Sequence, residues 1–353
     1  MTSREIIQSL IRLEPTRRLP VSLLSAGAWT LNRAGLTLEQ ALEAGGARIA
    51  EVIAETNDAV HCDIVWPGSG YHNLAIRAVG GQLKFRLKGT PDVQAPILRS
   101  PTDGARIPVA KIQDDSGIQQ LVTASRLLAA SIGDNTVVGT SQWAPFTLGG
   151  LSFGVENLMR AIYKDKSAVH AVLEFATELC IAYLDPFIDA GVSMISLADP
   201  TASGDLISAE QFSEFSLPYL SHVAQHVRSR GVWVLVHICG NTTNRLHTIP
   251  ASGAQIMSVD YKVPLTDVRT ILGGKIAFAG NMNPVAIMQR QTPEGVAEAC
   301  RTCIAQAGSG AGYLLMPGCD IPPSVPLENI QAMVATAHAH ANQAAPLISQ
   351  PSL

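Results

Sequence analysis

The sequence predicts an α/β protein, a closed (β/α)8 TIM barrel, and three observations carry the prediction. Eight short runs rich in Val, Ile and Leu lie at 21–29, 60–66, 136–142, 192–199, 232–239, 255–260, 276–281 and 313–316. They are near-continuous rather than alternating, as strands buried on both faces of a parallel sheet are. Helical patterns fill most of the gaps between them, and strand alternating with helix is the rhythm of a parallel α/β fold. Polar, chemically capable residues collect at the C-terminal ends of the runs, where barrel enzymes build their sites. An open doubly wound sheet is the alternative.

Composition supports a large buried core. Of 353 residues, 47% are hydrophobic and 15% charged, which excludes a disordered or collagen-like chain. Aromatic residues make up only 5%, so the core must be mainly aliphatic. Lys and Arg number 25 against 29 Asp and Glu, a net charge of −4, and no basic stripe points to nucleic acid. Six cysteines are too sparse for a disulfide framework in so long a chain. The first 18 residues carry charges within every apolar stretch, and no run reaches the ~18 apolar residues of a membrane span. A cytoplasmic protein without membrane or nucleic-acid partners is the expectation.

Taken in order, the elements begin with an N-terminal helical extension. Thr37 with Gln40 forms a capping box that opens a helix over 38–54. Residues 80–111 are rich in Pro and Gly, with a short alternating patch at 83–87, and read as a hairpin-like insertion between the second and third runs. Ser208 with Gln211 opens a helix running to Arg230 and ending at Gly231, with a kink expected at Pro218. Thr292, Pro293 and Glu294 start another helix. Leu327, Ile330, Val334 and Ala337 mark a last one over 326–341. These make a single barrel domain over 1–341 with a loose C-terminal tail at 342–353. The glycine-rich stretch 307–312 precedes a strand rather than opening a helix, so it is not a phosphate cradle.

The sharpest local feature is His237-x-Cys239. On a strand both side chains point to one face. An imidazole and a thiol together favour Zn²⁺, and Cys319, on a Pro-Gly turn after the eighth run, is the best third ligand. Gly318 gives that loop the freedom to lean over the mouth. The competing reading is an interior histidine with buried thiols. Asp199 and Asp260 are either acid/base groups or caps of the turns that follow. With Asn281 they are the candidate catalytic residues. Gln142, Thr201, Asn241 and Asn283, at or near strand ends, are the candidate cofactor contacts. Cys300-x-x-Cys303 falls inside a helical pattern and reads as packing, as do Cys62 and Cys180; His338 and His340 read as a surface face.

Several segments together are similar to a known family. Asp199-Pro-Thr-Ala-Ser-Gly-Asp-Leu-Ile-Ser-Ala-Glu-Gln-Phe, His237-Ile-Cys239-Gly-Asn-Thr, Ser258-Val-Asp260, Gly280-Asn281 and Pro317-Gly-Cys319-Asp-Ile-Pro carry the likeness. The chain resembles the uroporphyrinogen decarboxylase superfamily, and within it the cobalamin-dependent methyltransferase branch, which includes methylcobamide:coenzyme M methyltransferases. The resemblance implies a barrel whose zinc is held by His237, Cys239 and Cys319, with a thiol substrate in the open position. It implies a corrinoid (cobalamin) as co-substrate, usually carried on a separate corrinoid protein, and a small thiol such as coenzyme M as methyl acceptor. True decarboxylases are not expected to carry the zinc site, and their Arg-rich N-terminal motif is not evident around 17–29, so a decarboxylase-like lyase ranks second. Other members use tetrahydrofolate or a methylated donor. Trp29, Trp66, Trp143 and Tyr261 are the aromatic residues near strand ends available to a quaternary ammonium group.

Overall fold

A computed structural model describes residues 1–308 and 311–340. The 342–353 tail lies outside these residues, as does part of the 307–312 stretch. Among the described residues the strands are β1 (Ile64–Val65), β2 (Leu83–Lys84), β3 (Asp92–Val93), β4 (Val137–Trp143), β5 (Met194–Ala198), β6 (Trp233–Ile238), β7 (Ile256–Val259), β8 (Ala277–Met282) and β9 (Tyr313–Pro317). β1 and β4 to β9 form one parallel sheet in the order β1-β4-β5-β6-β7-β8-β9.

The first predicted strand is corrected. Of the run 21–29, only Val21 bridges, in parallel with Leu315 of β9. Ser22 N donates to Leu315 O, and Leu315 N donates to Pro20 O. On the other side Asp63 N, just before β1, donates to Val21 O. This single residue therefore joins the two edge strands and closes the ring. The run then leaves the sheet because Ser25 and Ala26 adopt positive φ (69° and 62°) and the chain enters the helix Gly27–Arg33. Its apolar character comes from burial of that helix: Trp29 is buried and its Nε1 donates to Val325 O at 2.9 Å. A continuous apolar run does not separate a buried strand from a buried helix.

The pleat sorts side chains into two layers. Ile64, Trp66, Val137, Met194, Leu235, Ile256, Ala277, Ala279, Leu314 and Met316 pack inside the barrel. Val138, Ile195, Leu197, Val236, Met257 and Leu315 face the surrounding helices. The N-terminal helix Ser3–Ile11 sends Ile7 and Leu10 into the inner cluster and plugs the barrel at its N-terminal end.

The helix predicted over 38–54 is two helices. The Thr37–Gln40 capping box forms, but Leu38–Ala44 ends at Gly45 (φ 94°), and a second helix runs Gly46–Val60. The Ser208–Gln211 capping box also forms, and the helical run it opens continues to Ser229 but is not α-helical throughout. A π-helical stretch, Phe212–Ser216, runs directly into the α-helix Leu217–Ser229, with Pro218 at the second position of the latter, so the change of helical pitch falls just before the residue that lacks an N–H. The insertion contains the antiparallel pair β2–β3, with Leu83 opposite Val93, followed by two 3₁₀ turns. His338 is not a surface residue: it is half-buried and its Nε2 is buried without a partner.

Candidate metal centre

The pleat of β6 brings His237 into the barrel, and the chain beyond it brings Cys239 to the mouth. His237 is buried, with Nε2 3.2 Å from Cys239 Sγ. Cys319 arrives from beyond β9, two strands further round than β7, and its Sγ lies 3.6 Å from Cys239 Sγ. The ligand atoms of the three residues all lie within 4.8 Å of one another. Bonds of ~2.0–2.1 Å to nitrogen and ~2.3 Å to sulfur at tetrahedral angles put such atoms roughly 3.5–3.8 Å apart. The donor set and its spacing therefore fit zinc, with one vertex left over.

Two glycines make the convergence possible. Gly240 has φ 75°, and a Cβ there would lie 2.4 Å from Ser203 Oγ and 2.5 Å from Asp205 Oδ2. At Gly318 a Cβ would lie 2.5 Å from Tyr261 N. Neighbouring side chains fix the candidate ligands. Ser258, the sheet partner of His237, lies with Oγ 3.1 Å from Nδ1. Accepting the Nδ1 proton leaves Nε2 free to ligate. Asp260 Oδ2 accepts from Gly240 N at 3.0 Å, and its Oδ1 accepts from Lys262 N at 3.0 Å. Lys262 Nζ in turn pairs with Asp205 Oδ2 at 2.9 Å, so the loops after β5 and β7 hold the Cys239 turn between them.

The two sulfurs share protons unequally. The hydrogen bond from Cys239 and, behind it, His237 draw the Cys319 thiol well down, while the proximity of Cys319 and burial push the Cys239 thiol up. Asp320, which accepts from Ala26 N and Ile321 N, is pushed up to about 7 by burial.

The other predicted residues divide. Asn281 sits behind Asp260, its Nδ2 donating to Asp260 O and Val263 O. Asp199 belongs to a separate buried network: Oδ1 accepts from Thr147 N and Oγ1, and Oδ2 from Ser216 Oγ. Burial raises its pKa to about 6 against those donors. Thr201 joins that network through Thr147 Oγ1 at 2.8 Å. Gln142 lies on the outer face of β4, its Oε1 accepting from Trp143 N and its Nε2 buried without a partner. Asn241 is exposed and accepts from Thr243 N; Asn283 accepts from Val285 N and Ala286 N as a helix cap. These three do not join the sulfur cluster. Cys62, Cys180, Cys300 and Cys303 are buried core thiols. Thr147 and Ser216 were not among the expected residues, and ordinary hydroxyls inside helical patterns give no signal of their own.

An α/β barrel with an imidazole and two sulfurs at its mouth defines the class. The uroporphyrinogen decarboxylase (URO-D) family model matches residues 2–340, and the chain belongs to that family. The methylcobamide:CoM methyltransferase MtbA of Methanosarcina acetivorans is 28% identical over 95% of this chain and 97% of its own. A methylated-thiol–coenzyme M methyltransferase of Methanosarcina mazei is 35% identical over 54% of this chain and 50% of its own. A uroporphyrinogen decarboxylase of Anaeromyxobacter dehalogenans is 28% identical over 71% of each chain. The solved structure of a methyltransferase from Methanosarcina mazei shares the fold, with a TM-score of 0.85, 22% identity, and coverage of 96% of this chain and 98% of that one. Among the described residues no helix is long and apolar enough to cross a membrane.

Proposed function

We propose that this protein is a zinc-dependent methyltransferase that moves a methyl group between a corrinoid, carried on a corrinoid protein, and a small thiol such as coenzyme M. The observation that carries the reading is the meeting of His237 Nε2, Cys239 Sγ and Cys319 Sγ at the barrel mouth with a vertex to spare. The near full-length likeness to a methylcobamide:CoM methyltransferase supports it.

His237, Cys239 and Cys319 would hold the ion. Zinc there supplies one thing: it favours the thiolate of a substrate thiol near neutral pH, and the thiolate is the nucleophile. Ser258 holds the imidazole in the ligating tautomer, and Asp260, through Gly240, keeps Cys239 aimed inward. Asn281 fixes the loop that carries Asp260. The substrate sulfur attacks the methyl carbon of methyl-Co(III) in line. The S–C bond forms as the Co–C bond breaks, the pair stays on cobalt as Co(I), and the thiol proton leaves to solvent. Asp199 and Thr201 act as supports through Thr147. Asn241 and Asn283 follow β6 and β8 and would shape the loops there that a corrinoid meets, through the backbone N–H groups they cap, and Gln142 steadies Trp143 from behind.

Metal analysis and a methylcobalamin assay test this directly. Purified protein holds about one zinc, and demethylation of methylcobalamin with a thiol panel shows Co(III) absorbance giving way to Co(I). Cys239→Ala loses both zinc and activity. Zinc below about half an equivalent together with full activity of Cys239→Ala rejects the proposal, and turnover of a porphyrinogen replaces it with the lyase reading.

A further inference from the structure

A second wall of the mouth has a distinct chemistry. The pleat turns Gly139, Ser141 and Trp143 of β4 to one face, and at Gly139 a Cβ would meet the Trp66 ring of the inner cluster at 2.6 Å. Trp143 pairs with Ala198, and Ala198 pairs with His237. A row across three neighbouring strands thus reads indole, methyl, imidazole. At ~4.7–4.9 Å per strand, the outer two backbones stand about 9–10 Å apart, with only a methyl group between them. Trp143 and Ala198 are partly exposed, as are Cys239 and Cys319, so the space above Ala198 opens to the mouth.

The indole is held in place. Its Nε1 donates to Asn73 Oδ1 at 2.7 Å, and the His72 ring stacks on it with centroids 4.4 Å apart. His72 Nε2 lies 2.8 Å from Ser141 Oγ, and burial pushes its pKa down to about 4, so it backs the indole as a neutral ring. Asn73 Nδ2 donates to Pro91 O at 2.8 Å, which braces the wall against the hairpin insertion. A side chain with its polar atom satisfied and its ring supported, yet partly exposed, is built to meet a ligand.

We propose that the substituent of the substrate thiol lies over Ala198 and ends against Trp143, so that these two residues set the length of the thiol the enzyme accepts. The accepted class is short mercaptoalkyl compounds: the two-carbon thiols carry three or four atoms in line past the sulfur, roughly 4–6 Å at ~1.5 Å per bond, which fits within a span of about 9–10 Å. A tripeptide thiol such as glutathione is turned away by the indole. This inference rests on the thiol reading above.

The test compares 2-mercaptoethanol, 2-mercaptoethanesulfonate, 6-mercaptohexanol and glutathione. Each is measured by calorimetric binding to zinc-loaded protein, by indole emission, and by kcat and KM with methylcobalamin. The wild-type protein is expected to bind the two-carbon thiols at least about tenfold more tightly than the long ones. Trp143→Ala gains binding and turnover of long thiols by about tenfold, a gain that misfolding cannot produce. Ala198→Val, which keeps the indole, raises KM for two-carbon thiols about tenfold with zinc content unchanged. The same length profile in all three proteins, or glutathione bound by wild type as tightly as 2-mercaptoethanol, overturns this inference while zinc and short-thiol binding leave the methyltransferase reading standing. Failure of zinc-loaded wild type to bind any thiol overturns both.

Discussion

His237 was legible as the inward residue at a strand end, and Cys319 because a Pro-Gly turn can bend a thiol back over the barrel; Cys239 lies one residue past β6, so the turn at Gly240 and not the strand pleat brings it to the same place. The groups that hold them were harder to see. Ser258 contacts Nδ1 only because β6 and β7 pair in one particular register. Replacing it with Ala removes the imidazole's partner, and zinc affinity should fall about 10–100-fold in a chelator competition while the fold survives. Asp199 illustrates the opposite difficulty. It stands at a strand end, as catalytic carboxylates do, but folding buries it among Thr147 and Ser216. Its folded pKa of about 6 lies above the ordinary value of 3.8. The folded state therefore binds the proton more tightly than the unfolded chain, and the stability this contributes is complete below about pH 4 and lost as pH rises through about 6. The difference in unfolding free energy between wild type and Asp199→Asn should change by on the order of 3 kcal/mol across that window in urea titrations.

At the scale of elements, continuous apolar runs located seven strands but misassigned the eighth, because the signal reports burial and not backbone conformation. The seam at Val21 also depends on polar groups that no apolar pattern records. Arg18 Nη2 lies 2.5 Å from Asp63 Oδ1, and Asp63 Oδ2 accepts from both Arg18 Nη1 and Val21 N at 2.8 Å. Asp63 has no exposed side-chain surface. Arg18→Met would strand a buried carboxylate at the seam, and urea denaturation should show a loss of about 3–5 kcal/mol. Replacing both partners with apolar residues should cost much less than replacing Arg18 alone. The split at Gly45 and the π-helical stretch before Pro218 were missed for a shared reason. Capping boxes mark where a helix starts, but tertiary packing decides where it breaks: Gly46 fits against Gln120 O, where a Cβ would approach to 2.4 Å.

For the whole molecule, strand order made the site predictable while its support stayed hidden. Once the alternation of strands and helices implies a ring, the C-terminal strand ends must converge, and that convergence is what made His237, Cys239 and Cys319 readable as one candidate cluster. The networks around Asp260, Thr147 and Trp143 join loops that are far apart in the chain, and one sequence carries no trace of those pairings. The helix Ser3–Ile11 has a kinetic consequence. Among the described residues Ile7 and Leu10 fill the base of the barrel, which leaves the side of the C-terminal strand ends as the approach to the cluster. Under the proposed function, the small thiol would have to enter before the bulky corrinoid covers it, and the thioether could leave only after the corrinoid does. On that proposal, initial-rate studies should give the intersecting pattern of a compulsory sequence, thiol first and corrinoid second, with the corrinoid released ahead of the thioether.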